Sequence, residues 1–159
     1  MNIGIYRYMP TVDGLVDEVR SAADQGFTSF WMPQIFGLDA LTAFSAAARE
    51  VPGIDLGTAV VPVYRAHPMA LAQQALTVSQ LNEGRLALGI GLSHQVVVES
   101  MWGLSYAKPL RHMREYLAAL LPMLSGEPSS VDGDAVTSHG SVEVAAPTPQ
   151  VLVAALGPK

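Results

Sequence analysis

Apolar residues along this chain switch repeatedly between two spacings. Asn2 to Tyr8 is a short run rich in Ile and Tyr. After Pro10, Thr11 is a plausible N-cap for a helix in which Leu15, Val16, Val19, Ala22 and Ala23 share a face, with Gly26 as its stop. Thr28 to Met32 reads as a buried strand. Asp39 to Glu50 is Ala-rich and helical, and Pro52-Gly53 breaks it. Ile54 to Val63 is dense in β-branched residues and predicts a strand. Helix follows from about Pro68 to Leu81, Pro68 suiting a first turn, and Asn82-Glu83-Gly84 closes it. Arg85 to Ile90 is a fourth strand, Pro109 to Leu124 a long helix, and Val151 to Leu156 a fifth apolar run.

Strands alternating with helices imply right-handed crossovers and a parallel sheet buried on both faces, as the continuous apolar strand runs require. Two stretches interrupt the rhythm. Ser93 to Lys108 is a long connection carrying Met101, Trp102 and Tyr106, and structured loops of that length are usually functional. Ser125 to Pro149, rich in Gly and Pro, reads as an insertion (about 125–149) holding a hairpin. Such a chain closes either as an open doubly wound sheet or as part of a (β/α)8 barrel, which typically takes about 250 residues. The turn after the first strand, Arg7 to Thr11, has no glycine, against a dinucleotide-binding sheet. Glycines gather instead after strands three, four and five, as in a barrel whose site spreads over several strand ends.

Composition narrows the function classes. Of 159 residues, 50% are hydrophobic and 14% charged, which is too apolar for disorder. The net charge of -5, with scattered basic residues, argues against nucleic acid. No apolar run approaches the roughly 18 residues of a membrane span, and nothing at the start reads as a signal peptide. Cysteine is absent, excluding disulfides and thiolate metal sites within this sequence; a cytoplasmic location is expected. No His/Asp/Glu spacing suggests a metal, and no Ser-His-Asp set stands out.

Five segments, taken in order, carry a resemblance: Phe30-Trp-Met-Pro-Gln-Ile-Phe36, Leu56-Gly-Thr-Ala-Val-Val-Pro-Val63, His67-Pro-Met-Ala-Leu-Ala-Gln-Gln-Ala75, Gly84-Arg-Leu-Ala-Leu-Gly-Ile-Gly-Leu-Ser-His94 and Val153-Ala-Ala-Leu-Gly-Pro158. Together they resemble the bacterial luciferase-like monooxygenase superfamily, and within it the oxidoreductases that use coenzyme F420, an 8-hydroxy-5-deazaflavin. The resemblance implies a (β/α)8 barrel with an insertion. Residues 1–159 would then be one domain, an N-terminal portion ending just past the fifth strand. It also implies hydride transfer between the deazaflavin and a small organic substrate. The runner-up is an FMN-dependent monooxygenase. A non-catalytic reading stays beside both, because an incomplete barrel exposes strand edges that invite pairing with a second copy; a homo-oligomer is expected.

The same resemblance assigns site residues. It implies a bulge with a cis peptide between Ala59 and Val60, so that Thr58, Ala59 and Val60 press backbone against the cofactor ring. Gly91 would leave room for a planar ring, and Ser93 would donate to a carbonyl or phosphate oxygen. His94 stands where an acid or base would lie, and an imidazole moves protons near neutral pH; a surface loop histidine is the alternative. Gln34 would address the ring's pyrimidine edge, or else cap a helix. Ala154, Ala155 and Gly157 would present backbone N–H groups to a phosphate. Arg65 and His67 flank the loop after strand three, and Trp31, Phe36, Met101, Trp102 and Tyr106 are apolar candidates near the mouth, core or interface positions being the alternative. His112, Arg114 and Glu115 on the last helix are expected to face solvent or an interface, Glu115 capping or pairing locally without a catalytic role.

Overall fold

The computed structural model describes residues 1–155; Gly157 lies outside them. The strands are β1 (Gly4–Tyr6), β2 (Ser29–Met32), β3 (Asp55–Thr58), β4 (Val61–Pro62), β5 (Leu86–Gly91), β6 (Ser129–Asp132), β7 (Thr137–Gly140) and β8 (Gln150–Val153). The helices are α1 (Val12–Asp24), α2 (Ala40–Glu50), α3 (Pro68–Leu81) and α4 (Pro109–Leu124). α1 and α2 start where a side chain satisfies a free amide. Thr11 Oγ1 accepts from Gly14 N at 3.2 Å and Asp39 Oδ1 from Thr42 N at 2.9 Å. Pro68 and Pro109 occupy first turns, where a missing N–H costs nothing.

β1, β2, β3, β5 and β8 pair side by side, all parallel, in chain order. The long apolar run predicted over 54–63 is one barrel strand broken in two. Gly57 lies opposite Ala87 and Val61 opposite Ile90, so the broken strand advances four residues while β5 advances three. The extra residue is a bulge at Ala59-Val60, whose peptide bond is cis. β4 then runs into a short 3-10 turn, Val63–Arg65. The insertion forms the antiparallel hairpin β6–β7.

Register sorts the strand residues onto two faces. Ile5, Phe30, Met32, Leu56, Leu86, Leu88 and Ile90 face the helix layer, packing with Leu15, Val19, Phe44, Leu71, Leu76 and Leu120 into one core. Gly4, Tyr6, Ser29, Trp31, Gly57, Ala87 and Leu152 lie on the opposite, inner face. That face is open: Tyr6 is 53% and Leu152 38% exposed. The expected burial of both faces therefore holds in the middle of the sheet, along β5, the short β4 and most of β3, and fails at β1 and β8. Trp31 lies on this inner face rather than at the mouth. Its indole sits where Cβ atoms on Gly4 and Gly57 would be, and its Nε1 donates to Ser29 Oγ at 2.9 Å. No helix among the described residues is long and apolar enough to cross a membrane.

Candidate active site

In a parallel α/β barrel, chemistry gathers at the C-terminal ends of the strands. Here those ends form a groove of about 390 Å³, lined by Val60 from the bulge, Gly91 at the end of β5 with Leu92 to His94 after it, and Val153 to Ala155 at the end of β8. Tyr106, Leu110 and Met113 complete its wall. Seven residues expected from the sequence thus converge: Val60, Gly91, Ser93, His94, Tyr106, Ala154 and Ala155. The wall is apolar apart from Ser93, His94 and Tyr106, and no carboxylate, lysine or arginine lines it among the described residues.

The bulge is seated rather than merely tolerated. A Cβ on Gly89 would overlap the Thr58 carbonyl oxygen, and one on Gly91 would stand 2.8 Å from Val60 Cγ2. The two glycines of β5 therefore receive the bulge, and the space expected above Gly91 for a flat ring is taken by Val60. Thr58 faces the helix layer, fully buried, and its Oγ1 donates to Gly89 O at 2.8 Å. Ala59 N donates to Met32 O at 2.9 Å. Neither lines the groove; both hold the bulge in place.

Gln34 also lies apart from the groove. Its Nε2 donates to Asp39 Oδ2 at 3.0 Å and its Oε1 accepts from Ala40 N at 3.1 Å. The amide is engaged at both ends in starting α2, the capping alternative. Ala154 lines the groove, but its N–H donates to Ile90 O at 2.9 Å and so belongs to the sheet rather than to an anion site. Sequence patterning passed over Leu110 and Met113, whose only signal was i, i+3 spacing near the start of α4.

His94 is exposed at the groove's edge. It follows Ser93, whose φ of +61° lies in the left-handed region that non-glycine residues seldom enter. The connection after it, read from sequence as a loop, contains a helical turn with a π segment, Val97–Met101. Such turns recur at functional sites.

Behind this rim, Tyr64 and His112 stack with centroids 4.1 Å apart. His112 is thus half-buried against a ring, not facing solvent. The hairpin turn closes over this pair. Glu115 Oε2 accepts from Ala135 N at 2.7 Å and Val136 N at 3.0 Å, reaching some twenty residues along the chain instead of pairing locally. Arg111 pairs with Asp134, and His67, whose Nδ1 accepts from Met69 N, gives its Nε2 hydrogen to Thr137 O at 2.9 Å.

Burial holds the His112 imidazole below its ordinary value of 6.5, Glu115 opposing part of that effect. Its folded-state value lies below the unfolded one, so the unfolded chain takes up the proton first. Its contribution to stability is full above pH 6.5 and falls away as pH drops below it. His112→Phe keeps the stack and removes the proton; urea unfolding at pH 7 and pH 5 is expected to show a smaller acid loss in the variant. Equal losses in both proteins would contradict this.

The barrel order, the bulged third strand and an apolar groove at the strand ends define a partial α/β barrel of the luciferase-like class. Residues 3–159 match the luciferase-like monooxygenase family, and the chain belongs to it. A Mycobacterium tuberculosis protein assigned as a coenzyme F420-dependent oxidoreductase is 36% identical over 99 residues, which is 62% of this chain and 28% of that protein. The coenzyme F420-dependent tetrahydromethanopterin reductase of Methanopyrus kandleri superposes with a TM-score of 0.79 at 20% identity, covering 99% of this chain and 51% of the reductase. The oxygenating constituent of a Pseudomonas putida diketocamphane monooxygenase, solved with FMN, gives 0.80 at 21% identity, covering 96% and 51%. The chain spans about half the length of these solved proteins and less of the curated relative.

Proposed function

We propose that this chain supplies the N-terminal half of the site of a coenzyme F420-dependent oxidoreductase acting on a small organic substrate. The observation that carries this reading is the convergence of the bulge, the Gly91-Ser93-His94 turn and the end of β8 on one apolar groove. The groove fits a flat conjugated ring: its walls are apolar, and its polar groups sit to one side, on Ser93, His94 and Tyr106. When bound, the deazaflavin supplies the two-electron redox chemistry. Val60 offers the ring an apolar platform. Ser93 Oγ can hydrogen-bond a ring or substrate oxygen, and the His94 imidazole can hold or deliver the proton that accompanies reduction or oxidation of the substrate. The relative at 36% identity supports the deazaflavin over FMN.

Titrating the purified protein with oxidised coenzyme F420 and with FMN, followed by cofactor fluorescence, tests this. Micromolar binding of the deazaflavin, at least about tenfold tighter than FMN, is expected. The reverse order would mean a flavin monooxygenase. Failure to bind either would favour a non-catalytic, self-associating half-barrel.

A further inference from the structure

We propose that Tyr106 is a positioning residue for His94, acting through the backbone of Ser93; the inference rests on His94 being the proton-transfer group. Ser93 is held in a left-handed conformation, φ +61°, that an L-residue leaves unless something retains it. The retaining contact comes from across the long connection: Tyr106 Oη donates to Ser93 O at 3.3 Å. On the other side of the same turn, His94 O accepts from Val97 N and Val98 N, both at 3.0 Å. The carbonyls on either side of the His94 backbone are therefore both tied down. The imidazole is exposed, yet its root is fixed.

Tyr106 can serve as a brace because it is itself braced. Its ring lies 5.4 Å from that of Tyr64, tilted 31°. Tyr64 stacks on His112 at 4.1 Å, and His112 lies 6.0 Å from Tyr116. Tyr116 is buried in α4, and its Oη donates to Ala66 O at 2.9 Å, securing the loop that carries Tyr64. The ladder runs from the α4 core to the turn that carries His94. Tyr106 also lines the groove, so the brace stands beside the surface His94 would address.

Tyr106→Phe keeps the ladder and removes only the hydroxyl; adding Ser93→Gly lets the turn hold its φ without a brace. Amide hydrogen exchange and the His94 ring NMR signal are read in the full chain, with turnover on the deazaflavin alongside. Tyr106→Phe is expected to raise exchange at Val97 and Val98 about 5- to 10-fold, the loss of one hydrogen bond, and to shift the His94 signal, while β5 stays protected. It is also expected to lower kcat by a similar factor with cofactor KM unchanged. In the double variant, exchange at Val97 and Val98 is expected to return to within about twofold of the parent and the His94 signal to its parent position; kcat is read only in Tyr106→Phe, because Ser93→Gly also removes a hydroxyl that faces the groove. Unchanged exchange and an unchanged His94 signal in Tyr106→Phe would overturn the assignment, as would a loosened turn with unaltered kcat. A parent that binds neither deazaflavin nor FMN would remove the redox reading, while exchange and the His94 signal would still decide whether Tyr106 positions that residue.

Discussion

Gly89→Ala is expected to destabilise the fold by about 3–5 kcal/mol, the upper end for a single substitution, leaving little folded protein. The new Cβ would overlap the carbonyl oxygen of Thr58, a backbone atom, with Val60 Cγ1 next at 3.1 Å. A flexible side chain could swing aside; this carbonyl cannot. Thr58 is held by its own hydroxyl on Gly89 O at 2.8 Å, and the next residue by Ala59 N on Met32 O at 2.9 Å. Relief would require the bulge to lift off β5, losing the seat of Val60 on Gly91 as well. Leu152→Ala is the matching control. Leu152 lies on the open inner face at 38% exposure, so its truncation is expected to cost under about 1 kcal/mol. Urea unfolding of both variants checks the pair; a Gly89→Ala midpoint close to that of Leu152→Ala would mean that the bulge is not pressed into β5.

The order of elements was legible because each signal is local. Thr11, Asp39, Pro68 and Pro109 start helices through their own side chains, and continuous β-branched runs can hardly be anything but strands. Family resemblance carried the cis bond at Ala59-Val60 and the identity of the strand ends. Roles that depend on direction were not legible. Thr58 sits one residue from the bulge and was expected at the ring, but strand alternation turns it outward to the helix layer. Gly91 seemed to leave space, yet whether a glycine leaves a void or receives a neighbour depends on the chain opposite, here Val60. Gln34 has the right chemistry for a pyrimidine edge, but Asp39, five residues on, engages it first. Glu115 and His112 read as surface helix residues because their partners, the hairpin turn and Tyr64, are distant in sequence.

His94→Gln is expected to lower turnover on the deazaflavin by about 10²- to 10⁴-fold while changing cofactor affinity by no more than about threefold. The size follows from what the residue is asked to do. The groove walls are apolar, so cofactor and substrate would be held mainly by contacts that the variant leaves intact. Proton movement is different: besides His94, the titratable side chain lining the groove among the described residues is Tyr106, whose hydroxyl is engaged with Ser93 O. Gln keeps a hydrogen-bonding amide of similar reach but cannot take up or release a proton near neutrality. The check is rapid-mixing single-turnover kinetics with a cofactor titration on the same preparation. A loss confined to kcat identifies proton transfer, whereas a parallel loss of binding would make His94 a cofactor contact. Retained turnover would move the acid or base to a residue beyond Ala155. Adding imidazole distinguishes these outcomes further in the smaller His94→Gly variant, where the vacated edge position is open to solvent. Partial rescue by the free base is expected if the proton passes at this position, and no rescue if the side chain acts only by packing.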